Sequence, residues 1–372
     1  MPTRRDDPSI PAWREDQLDS LSAPELETPY FDGALKAWVL SRHADILAAF
    51  HASSLSPASH ASDHGSQPSG ESAEGQCAEG QHDRCERARL KMRAEAMESL
   101  SPAQLRAWRD QLAPAARALA DSLPVEEPVD LMDAYARPLC LSLAAIVTGI
   151  SRSDAEQLCE RAREISAAAA EPYDSALRRS AESLSAGLRN YFPSGPESLR
   201  ESGFVALSQT MPCILGNAWF ALLQFPQEWS LLHREPGLME QAIEELLRYA
   251  GLVRILSRIA TADIDLNGAS IRSGDRIILR IIAANRDPER FSHPNHVDLA
   301  RRNAGHLTLG AGPHACVAAN LIRMAAITIT RPLVQMVASA SLSRPVDWQG
   351  GSGFRFPRSL WVHLTTGERS TD

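Results

Sequence analysis

Blocks of positive charge are missing from this sequence. Its 372 residues carry 38 Lys and Arg against 46 Asp and Glu, a formal net charge of −8, and only Lys36 and Lys91 are lysines. Without a basic cluster, a nucleic acid or an anionic membrane surface is a poor fit as main partner. Also missing is any unbroken apolar run of membrane-spanning length, and the charged start Met1 to Ile10 lacks the apolar centre of a secretory signal. The expectation is a cytoplasmic protein with no membrane attachment. Cysteine is sparse: Cys77, Cys85, Cys140, Cys159, Cys213 and Cys316 are scattered through a long chain, which excludes a disulfide framework of the small secreted kind. His64, Cys77, His82 and Cys85 match no closed tetrahedral zinc spacing. No internal repeat is present. What is present forms a core: 44% of the residues are hydrophobic, enough for one large domain or two ordinary ones.

Residues 1–35 are rich in proline and acids, and the first strand signal is Ala37-Trp38-Val39-Leu40, with a helical pattern following from Arg42 to Phe50. From His51 to Arg84 the chain is mostly Ser, Ala, Gly and His with almost no large apolar residue. Such a composition buries too little surface to offset its ordering entropy and reads as a mobile loop. Helical signals then dominate. Ser101-Pro102 opens a helix in which Leu105, Trp108, Leu112 and Ala116 recur at helical spacing, Leu139 to Ile150 is apolar nearly all round, and helices continue through 153–170 and 174–191. A long apolar helix over 201–223 is interrupted by Pro212, and 237–249 is amphipathic. Short strands lie around the turns Leu266-Asn267-Gly268 and Ser273-Gly274-Asp275, a last helix covers 318–337, and alternation from Phe354 to Leu364 suggests a closing hairpin. The fold class expected is mainly α with a small β portion.

The stretch Leu309-Gly310-Ala311-Gly312-Pro313-His314-Ala315-Cys316 places small residues and a proline before one cysteine, immediately ahead of a helix. A cysteine there meets the positive end of the helix dipole and unpaired N–H groups, both of which favour thiolate over thiol. One thiolate in a tight loop cannot build a four-ligand zinc site, but it can serve as the single protein ligand of a haem iron. A Gly-rich turn with a buried cysteine accounts for the same residues equally well.

The surrounding motifs separate these readings. Both glycines (Gly310, Gly312), His314 and Cys316 lie in register with the ligand loop Phe-Gly-x-Gly-x-His-x-Cys-x-Gly, with Leu309 for the Phe and Ala318 for the last Gly. Upstream stand Glu245-Leu246-Leu247-Arg248, Ala284-Asn285-Arg286-Asp287-Pro288-Glu289-Arg290-Phe291 and Asp298-Leu299-Ala300-Arg301. In this order the sequence resembles the cytochrome P450 family, the haem-thiolate monooxygenases. The resemblance covers most of the chain, least in 1–35 and 51–84.

It implies a single domain over 1–372, a triangular helical prism around haem b. Cys316 would be the axial iron ligand. Glu245, Arg248 and Arg301 would form a buried ion-pair triad that pins the segment leading to the Cys loop. His314, Arg258 and Arg89 would clamp the haem propionates beside Leu309 and Gly310 of the loop, with Cys85 where the family has a histidine. On the oxygen-handling helix, Ala206-Leu207-Ser208-Gln209-Thr210 lies over Ala-Gly-x-(Asp or Glu)-Thr. Thr210 is retained. Leu207 replaces the glycine, and the amide Gln209 replaces an acid that helps supply the protons consumed in oxygen cleavage. Pro212, lacking an N–H, leaves the Ser208 carbonyl without its helical partner and predicts a kink, with room for a water that could stand in for the missing relay.

The implied function is O2-dependent hydroxylation or a related oxidation of a small organic molecule in specialised metabolism. No Gly-rich dinucleotide fingerprint, flavin module or iron–sulfur module is present, so electrons would come from a separate ferredoxin and ferredoxin reductase, docking near Arg301, Arg302 and Arg323. The pocket would be lined by the 51–84 loop, the helices around 165–200, Leu207, Leu252 to Ile255 and the turn near Phe354. With Arg254 the one notable charge among them, an uncharged or modestly polar substrate is expected. Two other functions fit the same residues: a haem-thiolate enzyme that uses peroxide or no oxidant, and a non-catalytic haem-binding docking module. Cys140, Cys159 and Cys213 read as small core residues, and His293 and His296 as exposed.

Overall fold

The computed structural model describes residues 29–366 apart from 34, 58–89, 92, 126, 171–173, 189–190, 193–199, 303–304 and 352. Helices form where the apolar period places them. α1 (His43–His51) packs beside a sheet. α2 (Pro102–Asp121) starts with the Ser101 hydroxyl accepting the Gln104 N–H at 3.3 Å and Pro102 in its first turn, and buries Trp108, Leu112 and Ala116. α3 (Arg137–Thr148) is buried on most sides and stops at Gly149, whose φ of 71° is the left-handed conformation a helix end needs. α4 (Arg152–Ala170) and α5 (Ser175–Leu188) pack on each other.

The interrupted apolar helix is the centre of the molecule. α6 (Glu201–Val205) passes into a π-helical turn, Ala206–Thr210, and then into α7 (Met211–Gln224), in which all but Phe220 and Gln224 are buried. The disturbance expected of Pro212 appears as that π turn: the Met211 N–H reaches back five residues to the Ala206 carbonyl. Beyond it come α8 (Pro226–Arg234), α9 (Met239–Ala250), the short α10 (Ile281–Ala284) and α11 (Ala319–Met336). The main core joins α2, α3, α7, α9 and α11.

The strands build a smaller second core. β1 (Tyr30–Asp32), β2 (Ala37–Leu40), β3 (Leu55–Pro57), β5 (Ile255–Ala260) and β8 (Arg276–Arg280) form one sheet in the order β1-β2-β8-β5-β3, parallel only between β2 and β8. β4 (Val129–Asp130) lies elsewhere, as described below. β6 (Ile264–Leu266) and β7 (Ala269–Ile271) are joined by Asn267 and Gly268, both at positive φ (50° and 88°), the geometry of a tight two-residue hairpin turn.

Three boundaries differ from the sequence reading. Residues 30–32 of the proline-rich start form β1 by pairing with β2. In the stretch read as a loop over 51–84, His51 ends α1 and Leu55–Pro57 pairs antiparallel with β5, while 58–84 lies outside the described residues. The closing hairpin is split between two sheets. β11 (Arg355–Ser359) pairs with β10 (Asp347–Gly350), whereas β12 (Trp361–Thr366) runs between β4 and β9 (Val337–Leu342). Leu360 makes the change: its side chain is fully buried and its N–H donates to Asp130 Oδ1 at 2.8 Å, so the chain is anchored there and turns. No single helix among the described residues is long and apolar enough to cross a membrane.

The large aromatics of this core are tied through their polar tips. Trp219, fully buried on α7, donates from Nε1 to Thr330 Oγ1 of α11 at 3.1 Å, and Tyr135 packs beside it. Thr330→Val keeps the shape and strands the indole N–H; it is expected to cost about 1–3 kcal/mol, measured as a lower urea midpoint at unchanged slope.

Candidate functional site

Glu245 and Arg248 lie one turn apart on the apolar stripe of α9, so the packing that buries the stripe buries their charges as well. They are 0% and 1% exposed. Arg248 grips Glu245 bidentately, Nε to Oε2 and Nη2 to Oε1, both at 2.8 Å. Arg301 adds Nε to Oε2 at 2.9 Å, and the Asp298 N–H donates to Oε1 at 3.0 Å. The other Arg248 hydrogens go to the carbonyls of Asn285 (2.8 Å), Pro294 (2.9 Å) and His296 (3.0 Å), while Arg301 Nη1 donates to Ser292 O at 3.0 Å. One buried carboxylate thereby gathers the irregular segment from 285 to 301 onto α9.

Asn285 passes this anchoring to the cysteine loop. Its carbonyl receives Arg248, its Oδ1 accepts the Leu307 N–H at 2.7 Å, and its Nδ2 donates to Thr308 Oγ1 at 2.8 Å. Thr308 in turn donates to the Leu247 carbonyl at 2.7 Å. The loop then folds on itself, Gly310 N–H to Leu307 O at 2.9 Å and Cys316 N–H to Leu309 O at 2.7 Å. Gly310 and Gly312 have φ of 70° and 65°, and a Cβ on Gly312 would stand 2.6 Å from the Phe50 carbonyl of α1. Both glycines are therefore required by backbone geometry and close approach. Leu309 packs on the main core. Asn285 and Thr308 received no role in the sequence reading, because polar residues in a loop carry no periodic signal.

Cys316 is half-buried at the entry to α11. Burial pushes its thiol up, against an opposing hydrogen bond from the Ala318 N–H and the charges of Arg93 and Arg323. The helix-end argument for a thiolate is thus outweighed in the protein alone, and a metal cation is what would shift the balance. Arg93 was missed by the sequence reading: its Nη1 donates to Ala315 O at 2.5 Å, beside the cysteine. In sequence it stands four residues after Arg89, so helical spacing from that candidate could have found it. Arg89 lies outside the described residues, as do Cys85 and the His64, Cys77 and His82 positions. Among the described residues no cluster of His, Cys, Asp and Glu could hold a metal ion.

Arg258 on β5 is 6% exposed. It lies over the Phe50 ring at 5.5 Å, donates to its neighbour Ser257 O at 2.9 Å, and pairs with no carboxylate among the described residues; burial alone pulls it down to about 10. Since Phe50 also abuts Gly312, Arg258 and the glycine loop share one neighbour. His314 ends the turn Gly312–His314, against which α1 packs. A lone thiol in a glycine cradle beside a buried, carboxylate-free guanidinium suits haem, which brings one iron for the sulfur and propionates for the cation.

Gln209 and Thr210 part company within the π turn. The Gln209 amide reaches Cys159 of α4 at Sγ (3.3 Å) and O (3.4 Å), and Ser208 Oγ at 3.3 Å. It lines a cleft of about 640 Å³ with Arg163, Ser208 and Pro212; Thr210 is not among the described residues lining it. Cys159 is consequently half-buried and engaged, whereas Cys140 and Cys213 are buried as expected. Leu207 is buried in the core. Of the regions expected around the substrate, Val253 bridges Phe354, and Gly353 N–H donates to Ala170 O at 3.1 Å, so three of them meet.

The expected basic rim is reduced. Arg301 is consumed by Glu245 because the buried carboxylate needs a second cation, and Arg323 binds Glu244 bidentately at 2.5 and 3.0 Å. Arg302 alone of the three is exposed. His293 and His296 are exposed, as read.

The sequence model described as Cytochrome P450 matches residues 234–335, the span holding the triad, the relay and the cysteine loop. Cytochrome P450 CYP199A2 of Rhodopseudomonas palustris is 28% identical over 312 residues, 75% of this chain and 74% of that protein. The 20-oxo-5-O-mycaminosyltylactone 23-monooxygenase of Streptomyces fradiae is 46% identical over 103 residues, 28% of this chain and 24% of that protein. The crystal structure of CalO2 superposes with a TM-score of 0.78 at 21% identity, covering 97% of this chain and 99% of that one.

Together these likenesses support a bacterial cytochrome P450. This P450 has the family's mainly helical fold and is a haem-thiolate oxidoreductase acting on small organic molecules.

Removing the carboxylate of its triad, Glu245→Ala, leaves Arg248 and Arg301 without their buried partner. That is expected to cost about 3–5 kcal/mol and to lower haem bound per chain, measured against circular dichroism of the same sample. Arg248→Lys should not rescue, since one ammonium cannot replace the guanidinium fork.

A second prediction concerns acid. Burial raises Glu244, but the His306 ring nitrogen 3.4 Å away and the bidentate Arg323 outweigh it and hold the carboxyl at about 2 against an ordinary 4.5. Its contribution is full above the unfolded value and is lost as pH falls through the folded one. Glu244→Gln should therefore lower stability at neutral pH and flatten the loss between about 4.5 and 2 in an acid titration of ellipticity.

Proposed function

We propose that this P450, working in the cytoplasm as one haem-binding domain over 1–372, holds haem b through Cys316 and oxidises an uncharged or modestly polar small molecule of specialised metabolism. The observation that carries the reading is the unbroken line of contacts from the buried Glu245–Arg248–Arg301 cluster through Asn285 and Thr308 to the loop of Cys316. Haem, when bound, supplies reductive activation of O2 and oxidation of the substrate. The chain's residues do the rest. Cys316 gives the sulfur ligand, with the Ala318 N–H damping its charge. Leu309 and Gly310 hold the loop at its distance. Arg258, Arg93 and His314 meet the propionates, and Arg89 remains a candidate for the same task. Thr210 offers a hydroxyl for proton delivery. Gln209 positions the turn through Cys159 and, as an amide, can orient a water without donating an acidic proton. The Streptomyces fradiae relative, a 23-monooxygenase by name, supports hydroxylation. A separate ferredoxin with its reductase is the proposed electron source, meeting the face around Arg302.

Gln209 favours a second reading, peroxide-driven or oxidant-free turnover at the same haem. It predicts product without redox partners. The ferrous carbon monoxide difference spectrum tests the first step: the thiolate band is expected in the wild type and absent in Cys316→Ser, and its absence from the wild type overturns the proposal. Gln209→Glu is expected to raise the share of electrons recovered in product severalfold under O2. Unchanged coupling would remove the relay account.

A further inference from the structure

Arg93 is set into the molecule rather than laid on its surface. In the helix over 93–99 it stands three residues before Ala96 and seven before Leu100, which are buried and belong to the main core. Residues at these spacings share one helix face, so the stripe that docks this segment also turns Arg93 inward. Its side chain is half-buried and ends on the cysteine loop.

What it meets there is the peptide unit that carries the cysteine. Arg93 Nη1 donates to the Ala315 carbonyl at 2.5 Å, and the N–H of the same unit, that of Cys316, donates to Leu309 O at 2.7 Å. The Ala315 N–H goes to Gly312 O at 3.1 Å. Two of these three bonds stay within the loop, and the one to Arg93 comes from another element. A planar peptide unit held at both its oxygen and its nitrogen cannot swing. Its orientation fixes the start of the Cys316 backbone and with it the position of the sulfur. The loop has little slack to absorb a change, since a Cβ on Gly310 would already stand 3.3 Å from Ala315 Cα.

The same contact brings a charge. Burial pushes the Cys316 thiol up, and Arg93 and Arg323 are the two cations that oppose it. Arg323 is paired with Glu244 in a bidentate bridge, whereas Arg93 makes its hydrogen bond to a neutral carbonyl. A cation beside a thiolate ligand stabilises the extra negative charge of the reduced iron centre. We propose that Arg93 is a positioning residue for the iron ligand, holding the sulfur through the Ala315 carbonyl and raising the reduction potential of the thiolate-bound iron through its charge. The inference rests on the haem-thiolate reading above and gives Arg93, through Nη1, a task beyond the propionates.

The test uses haem-loaded full-length protein and three variants: Arg93→Met keeps an apolar stem without donor or charge, Arg93→Lys keeps a donor and the charge, and Arg93→Glu reverses the charge. Two quantities are read, the reduction potential by dye-coupled titration and the rate at which the thiolate band of the ferrous carbon monoxide form gives way to the thiol-ligated band. The potential is expected to stay near the wild-type value in Arg93→Lys, to fall in Arg93→Met and to fall further in Arg93→Glu. A purely structural role would not produce that order. Loss of the thiolate band should be about fivefold faster in Arg93→Met, the effect of one hydrogen bond, and be largely restored in Arg93→Lys. If Arg93→Glu fails to fold, the contrast between Met and Lys decides. A wild type without the thiolate band overturns the haem-thiolate reading itself. With that band present, a potential and band lifetime unchanged in Arg93→Met overturn the role of Arg93 alone, as does faster haem transfer to apomyoglobin with the thiolate band intact, the signature of a propionate contact only.

Discussion

A carboxylate that no solvent reaches, held between two guanidinium groups, is the constraint on which the rest of this P450 depends. Glu245 in isolation would be too costly to bury, and so would Arg248. Together they are stable only while Arg301 and a ring of main-chain carbonyls complete the coordination. That requirement dictates the path of the seventeen residues from Asn285 to Arg301, which have no regular structure. The chain from Asn285 to Arg301 cannot drift, because its carbonyls are acceptors that Arg248 and Arg301 must have.

From this anchor the order spreads through short polar links rather than apolar packing. Asn285 binds in three directions, and Thr308 returns the chain to α9. The cysteine loop inherits a fixed starting point and then needs little more than two glycines at positive φ to close on itself. A rigid thiol position thus comes from an ion cluster more than ten residues away in sequence. The π turn at 206–210 gives the central helix an irregular register, in which Gln209 reaches Cys159 and lines the cleft and Thr210 is not among the described residues lining it.

Much of this was legible in the residues. Trp108, Leu112 and Ala116 marked a helix face, Asn267-Gly268 marked a hairpin, and Glu245, Arg248 and Arg301 were named together from the motifs that carry them. Other features were not. β1 has no alternating apolar pattern and exists because β2 offers an edge to pair with. The switch at Leu360 depends on Asp130, 230 residues earlier. Arg93 resembles any charged residue on an exposed helix until the loop it touches is in place.

The sequence by itself determined the family, the mainly helical class and the order of motifs, since periodicity and the local chemistry of Gly, Pro, Cys and paired charges are written within a few residues. Only the tertiary structure decided where each charge stands and what it meets. It buried Arg301 in the triad and coupled Arg323 to Glu244. It also placed Arg254 in an aromatic cavity with Arg286 and Arg355. The reason is physical: the strength of a charge is set by its burial and partners, and those are supplied by chain segments far apart in sequence.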